Sequence, residues 1–226
     1  MPPPEDAGRP WPVLIVEDHE LLSGTLALAL RQRGLEVGTL NGPAAEAVIE
    51  AARQRAPALV LLDLDLGPVL GDGVDLVRPL VEAGARVVIM SGDGDRARLG
   101  SCVEAGASGV VSKASTFDDL IAAVERTARG EQLLTEEERQ SLLAELRSRR
   151  RSDDERLGPF APLTPREQAV LAGLMAGEPA EVIAQSAYVS VATVRSQIRG
   201  ILRKLGVTSQ LAAVALARDA GWTPPS

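Results

Sequence analysis

The stretch Ala58-Leu59-Val60-Leu61-Leu62-Asp63 constrains this chain more than any other. A run of branched apolar residues with no polar alternation predicts a strand buried on both faces, as in a parallel sheet covered by helices. In open parallel sheets, ligands and chemistry gather outside the carboxyl ends of the strands. Asp63 stands at that edge, so the residues that end the other strands decide what it can do.

Reading outward, Val13-Leu14-Ile15-Val16 is a second apolar run, and it ends in Glu17-Asp18. A helix is predicted over 20–33, stopped by Gly34, then a strand at 37–40 and a helix at 43–55. After the 59–62 strand comes a glycine-rich loop, Leu66 to Gly73, and a helix at 74–83. A strand at 86–90 ends in Ser91, a weak helix covers 95–105, and a strand at 109–112 ends in Lys113. A helix at 116–129 closes on Gly130. Strands alternating with helices predict an α/β fold, a doubly wound five-stranded parallel sheet of the flavodoxin-like kind.

Beyond it, Thr135-Glu136-Glu137-Glu138 is a capping box, opening a helix with Leu142, Leu143 and Leu146 that runs into Arg149-Arg150-Arg151. Ser152 to Pro162 reads as linker. Thr164-Pro165-Arg166-Glu167 is another capping box, with proline at the first helical position. Short helices at about 165–176, 180–186, 191–205 and 209–219, punctuated by Gly177, Gly206 and Gly221, predict a small all-helical domain. The expected divisions are 12–130, a helical linker at 131–160, and 161–222.

Composition narrows the function. One cysteine, Cys102, and one histidine, His19, cannot make a Cys/His metal cluster or a disulfide. Cys102 reads as a small buried apolar residue, and His19 as a surface residue starting a helix rather than a base or ligand. No apolar run approaches a membrane span, and the Met-Pro-Pro-Pro-Glu-Asp start lacks the basic and apolar regions of a signal peptide, so a soluble cytoplasmic protein with no membrane partner is expected. The net charge is −7, which argues against nucleic acid for the chain as a whole. Residues 159–226, however, carry more base than acid, which reopens that possibility for the C-terminal segment alone.

The strand ends together deliver Glu17, Asp18, Asp63, Ser91 and Lys113. Crowded carboxylates stay ionised at neutral pH only beside a cation. Oxygen donors without nitrogen or sulfur suit a hard ion, Mg²⁺. A carboxylate beside Mg²⁺, an ammonium and a hydroxyl can attack phosphorus and form an aspartyl-phosphate.

At these residues a family comes into view. Ile15-Val16-Glu17-Asp18-His19, Leu61-Leu62-Asp63, Met90-Ser91-Gly92 and Val111-Ser112-Lys113 resemble the receiver domain of bacterial two-component response regulators, over residues 12 to about 129. The resemblance implies that Asp63 accepts a phosphoryl group from a sensor histidine kinase. It implies Mg²⁺ on Asp18, Asp63 and the backbone carbonyl of Asp65, with Glu17 assisting through water. Lys113 would pair with the phosphoryl group and the Ser91 hydroxyl would turn towards it. The sequence departs from the family in three places: the loop Leu64 to Gly73 is longer than usual and holds Gly67-Pro68, Val110 stands where an aromatic switch residue is common, and Ala114 follows Lys113, so no cis-proline turn is expected.

Leu163-Thr164-Pro165-Arg166-Glu167, Ile183-Ala184, Ser190, Thr193-Val194-Arg195 and Ile201-Leu202-Arg203-Lys204-Leu205-Gly206-Val207 resemble the LuxR-type helix-turn-helix, over about 160–221. The whole is similar to a NarL/FixJ-type response regulator. On the 191–205 helix, Val194, Ile198, Ile201, Leu202 and Leu205 form a core face. Arg195, Arg199 and Arg203 recur every fourth residue and can track phosphates or reach guanine edges of double-stranded DNA. Thr193, Ser196, Gln197 and Lys204 complete the candidate DNA contacts, and Gly200 is small enough to let the helix enter a major groove. Glu181 stands where that pattern commonly has a basic residue near the DNA backbone. The last helix, with Leu211, Val214 and Ala215, resembles the family's dimerisation helix, so a homodimer on activation is expected; packing within one subunit is the alternative.

Two other readings fit parts of the pattern. Asp63-Leu64-Asp65 resembles the Asp-x-Asp nucleophile of haloacid-dehalogenase-type phosphatases, although that motif normally ends the first strand, and here it ends the third. Val110 and the altered loop also suit a regulator of the same fold switched by a ligand or partner rather than by phosphate.

Overall fold

The computed structural model describes residues 11–40, 44–56, 58–92 and 94–224. The Met1 to Asp6 start and Pro43, expected to open the second helix, lie outside the described residues. The chain forms two compact units that part between Ser148 and Arg149.

The first unit is built on a parallel sheet in the order β2-β1-β3-β4-β5. Its strands are β1 (Val13–Val16), β2 (Val37–Leu40), β3 (Ala58–Asp63), β4 (Ala85–Ser91) and β5 (Gly109–Ser112). Every residue of β3 is buried, as its unbroken apolar run requires. Alternate side chains leave opposite faces of a strand. Val13, Ile15, Leu59, Leu61, Val88 and Met90 therefore pack under α1 (Glu20–Gln32) and α6 (Phe117–Ala128). Leu14, Val16, Val60, Leu62, Val87 and Ile89 pack under α2 (Ala45–Gln54), α4 (Val74–Glu82) and α5 (Arg96–Ala105). Each of these side chains contributes about 1.5–3 kcal/mol by leaving water. Cys102 lies in the second layer, where burial pushes its thiol up to about 12.

The α5 helix is better anchored than its sequence suggests. Asp95 caps it, accepting from the amides of Ala97 and Arg98 at 3.0 and 3.1 Å. Gly100, in mid-helix, costs about 1 kcal/mol of propensity. That glycine is where α7 (Glu136–Leu157) makes contact: a Cβ there would collide with the Leu142 carbonyl and stand 2.9 Å from Leu146 Cβ.

Two expectations need correcting. The loop from Leu66 to Gly73 contains a single helical turn, α3 (Gly67–Leu70), because Pro68 suits a first turn. The linker predicted to begin at Ser152 begins later: α7 runs on to Leu157. Arg149–Asp153 and Asp153–Arg156 ion pairs at helical spacing support those polar turns, and the first glycine and proline after them are Gly158 and Pro159.

The second unit holds α8 (Pro165–Met175), α9 (Ala180–Ser186), α10 (Val191–Leu205) and α11 (Gln210–Asp219) around Val170, Leu171, Ile183, Val194, Ile201 and Ala213. Phe160 stacks on Trp222 at 5.6 Å. Leu202, expected in the core face, is half-buried at its edge. The turn between α9 and α10 passes through Tyr188, whose φ of 54° is the one positive value at a non-glycine among the described residues.

Candidate functional site

The parallel register brings the expected strand ends to one edge. Asp63 pairs with Met90 and Ser91 with Ser112, so β3, β4 and β5 finish level, while β1 runs directly into Glu17 and Asp18. Glu17 and Asp63 are fully buried and Ser91 is 5% exposed. Lys113 reaches over them: its Nζ donates to Asp63 Oδ2 at 2.6 Å and lies 3.0 Å from Glu17 Oε2 as an ion pair without hydrogen-bond alignment. The backbone amide of Lys113 donates to the Ser91 carbonyl at 2.8 Å, which seats the lysine beside β4.

Charge follows from this geometry. Burial, with Glu17 repelling, holds the Asp63 carboxyl above its ordinary range despite Lys113. Burial acts the same way on Glu17, but the Lys113 ammonium and His19 outweigh it and leave Glu17 below its ordinary range. Burial alone would lower Lys113; the two carboxylates raise it instead. Asp63 Oδ1 is buried with no hydrogen-bond partner among the described residues.

Such a carboxylate oxygen, beside the buried Glu17 and the exposed Asp18, suits a hard cation. Ligand atoms of Glu17, Asp18, His19 and Asp63 all lie within 4.8 Å of one another, so this edge could hold a metal ion. Composition alone did not place His19 there. It precedes α1 as expected and is exposed, yet its Nδ1 lies 2.8 Å from both Glu17 Oε1 and Asp18 Oδ1. The signal was its position next to the acidic pair. Asp65, expected to face the cation through its carbonyl, turns its side chain away to Arg98 at 2.8 Å. Val110 is half-buried on the side of the sheet that carries α4 and α5.

In the second unit, α10 buries Val194, Ile198, Ile201 and Leu205 and exposes Thr193, Arg195, Ser196, Arg199 and Arg203. The arginine stripe is therefore a real surface feature. Lys204, read as part of the DNA face, is engaged elsewhere. Lys204 Nζ donates to Glu167 Oε2 at 2.6 Å, the same oxygen that accepts from the Thr164 amide and hydroxyl at 2.8 Å. Gly200 makes room for that carboxylate: a Cβ there would stand 2.7 Å from Glu167 Oε1. Gln197, one turn earlier on this flank, is half-buried. Glu181 lies 3.4 Å from Arg195 across the helix-turn-helix, both ends exposed.

Residues 13–125 match the response regulator receiver domain, and residues 161–217 match the luxR family of bacterial regulatory proteins. The chain is 30% identical over 211 residues to the transcriptional regulatory protein MctR of Rhizobium johnstonii, covering 92% of this chain and 94% of that protein. It is 33% identical over 210 residues to the nitrate/nitrite response regulator protein NarP of Escherichia coli, again covering 92% and 94%. Among solved structures, a complex of the two-component response regulator RcsB with DNA matches at a TM-score of 0.49 and 22% identity, covering 93% of this chain and 98% of that one. With both domains matched in order and relatives spanning nearly all of its length, this chain belongs to the two-component response regulators that join a receiver domain to a LuxR-type DNA-binding domain and regulate transcription.

Proposed function

We propose that Asp63 is the phosphoryl acceptor of this regulator, loaded by a sensor histidine kinase, and that its phosphorylation controls DNA binding by α10. The observation that carries this is the Asp63 carboxylate itself: one oxygen held by Lys113 at 2.6 Å, the other buried at the sheet edge with no hydrogen-bond partner among the described residues. In the reaction a carboxylate oxygen of Asp63 attacks phosphorus, the bond from phosphorus to the kinase imidazole nitrogen breaks, and that nitrogen leaves with the bonding pair. Mg²⁺ suits the site; Asp18, Asp63 and the Asp65 carbonyl would hold it, with Glu17 assisting through water. The bound ion supplies positive charge that offsets the incoming phosphoryl oxygens. Lys113 shifts from Asp63 Oδ2 to a phosphoryl oxygen, and Ser91 offers its hydroxyl to another. A phosphatase of the Asp-x-Asp type would need a free acid at Asp65, and here Arg98 engages that side chain.

Arg195, Arg199 and Arg203, with Thr193 and Ser196, form the DNA face of α10. Phosphorylation would shift an equilibrium between states in which this face is masked and available. Leu211, 79% exposed on α11, suits pairing of two copies on the activated protein. Mass spectrometry of the chain after incubation with acetyl phosphate tests the acceptor. The expected result is a single phosphoryl adduct that requires Mg²⁺ and is absent from Asp63→Asn; an adduct persisting on that variant would refute the assignment.

A further inference from the structure

We propose that Arg98 is a positioning residue for the phosphoacceptor site, fixing the loop that presents the Asp65 carbonyl to the cation and tying that loop to α5. The proposal rests on the reading of Asp63 and Asp65 above and adds a residue to it.

Arg98 lies in the first turn of α5, and its guanidinium reaches three acceptors. Nη1 donates to Asp65 Oδ1 at 2.8 Å, and Nη2 donates to the Leu64 carbonyl and to Asp72 Oδ1, both at 2.9 Å. These acceptors sit on both limbs of the loop that follows Asp63. The limbs already meet: Asp65 and Asp72 pair as an isolated antiparallel bridge, and the Gly73 amide donates to the Leu64 carbonyl at 2.9 Å. Gly73 also packs against the Asp63 carbonyl, where a Cβ would collide. Arg98 therefore closes a small ring of backbone that begins at the phosphoacceptor, and it grips the two residues immediately after it.

Only a planar fork with several donors can hold three oxygens this way; a lysine ammonium could not reproduce the arrangement. The side chain is 22% exposed, so these bonds are partly shielded from water and salt. The far limb of this loop supplies Asp72, the third acceptor. The same α5 helix receives Leu142 and Leu146 of α7 at Gly100. A shift of Asp65 on cation or phosphoryl binding thus reaches α5, and the packing of α7 on it, through one side chain.

Two effects oppose each other at this residue. The Arg98 charge repels a cation, so removing it would tighten Mg²⁺ binding if charge alone mattered. Holding the loop favours the cation, and loss of an outer partner of a metal site commonly weakens binding by on the order of tenfold. Arg98 is already neutralised by two carboxylates, so positioning wins. The test is a MgCl₂ titration of the full chain, followed by the amide shifts of residues 63–73, with hydrogen exchange of the same amides in the metal-free protein. Arg98→Ala is expected to raise the Mg²⁺ dissociation constant by on the order of tenfold and to speed exchange at 65–72. Arg98→Lys, which keeps the charge and loses the fork, is expected to show the same weakening in part. The rate of phosphorylation by acetyl phosphate should fall at low Mg²⁺ and recover at saturating Mg²⁺. If Arg98→Ala does not fold, Asp72→Asn removes one arm at an exposed position and should weaken Mg²⁺ in the same direction by less. Unchanged or tighter Mg²⁺ binding in these variants overturns the proposal. A wild-type chain whose residues 63–73 ignore Mg²⁺ would overturn the reading beneath it, and the proposal with it.

Discussion

Replacing Lys113 by alanine removes the ammonium that bridges Glu17 and Asp63. Both carboxylates are fully buried, so the variant leaves the Asp63 charge without its cation and Glu17 with His19 as its remaining partner. Breaking a buried pair by removing one partner costs about 3–5 kcal/mol. Lys113 keeps 24% exposure, which places the expected loss near the lower end, about 3 kcal/mol. With a urea slope of about 2 kcal/mol/M, the midpoint of the first unit should fall by about 1.5 M in metal-free buffer. Two tryptophans make this readable: Trp11, under the Arg86 guanidinium, reports the first unit, and Trp222, stacked on Phe160, reports the second. Single-tryptophan versions should show the loss at Trp11 alone.

The pH dependence has a definite sign. In the wild type, the lowered Glu17 contributes stability above its ordinary 4.5 that is lost as pH falls, and the raised Asp63 costs stability as pH rises past its ordinary 3.8. These slopes oppose each other. The raised Lys113 contributes fully below 10.5 and loses that contribution only as pH climbs through its folded value. Without Lys113 both carboxylates shift upward, so the variant should become steadily less stable as pH rises from about 4 towards 7. Saturating Mg²⁺ should restore most of the loss, because any cation serves the carboxylate pair. A metal-free midpoint equal to wild type, or no recovery with Mg²⁺, would refute this reasoning.

On the DNA side, Arg195→Ala and Arg199→Ala should each weaken binding and reduce the slope of log K against log salt by about 0.9 for every phosphate that the side chain had neutralised. Lys204→Ala should act differently: it strands Glu167 and lowers the thermal midpoint of the second unit while leaving the salt slope of the folded protein unchanged. Glu181→Lys frees Arg195 from its exposed partner at a stability cost of at most about 1 kcal/mol, and should tighten specific and non-specific duplexes alike with a steeper salt slope.

The sheet edge was legible in the sequence because β1, β3, β4 and β5 each end where an apolar run meets a polar residue, and parallel register does the rest. The capping boxes at Thr135 and Thr164 were legible for a similar reason, since their partners stand three residues away. What escaped was long-range pairing. Spacing on α10 places Lys204 among basic residues, but nothing near it announces Glu167 on another helix, nor that Gly200 gives space to that carboxylate. Arg98 was hidden likewise, since its partners lie 26 to 34 residues back along the chain. The extent of α7 was missed because polar composition reads as linker, while its ion pairs and lack of glycine before Gly158 favour a helix.

The most direct test of the account is the affinity of the full chain for a duplex selected from a random library, measured with Mg²⁺ in the presence and absence of beryllium trifluoride, for wild type and Asp63→Asn. The expected result is tighter binding by the wild type when the phosphoryl mimic is present and no response from Asp63→Asn. Equal affinity in all four conditions, with the duplex still bound, would contradict control of α10 by phosphorylation at Asp63.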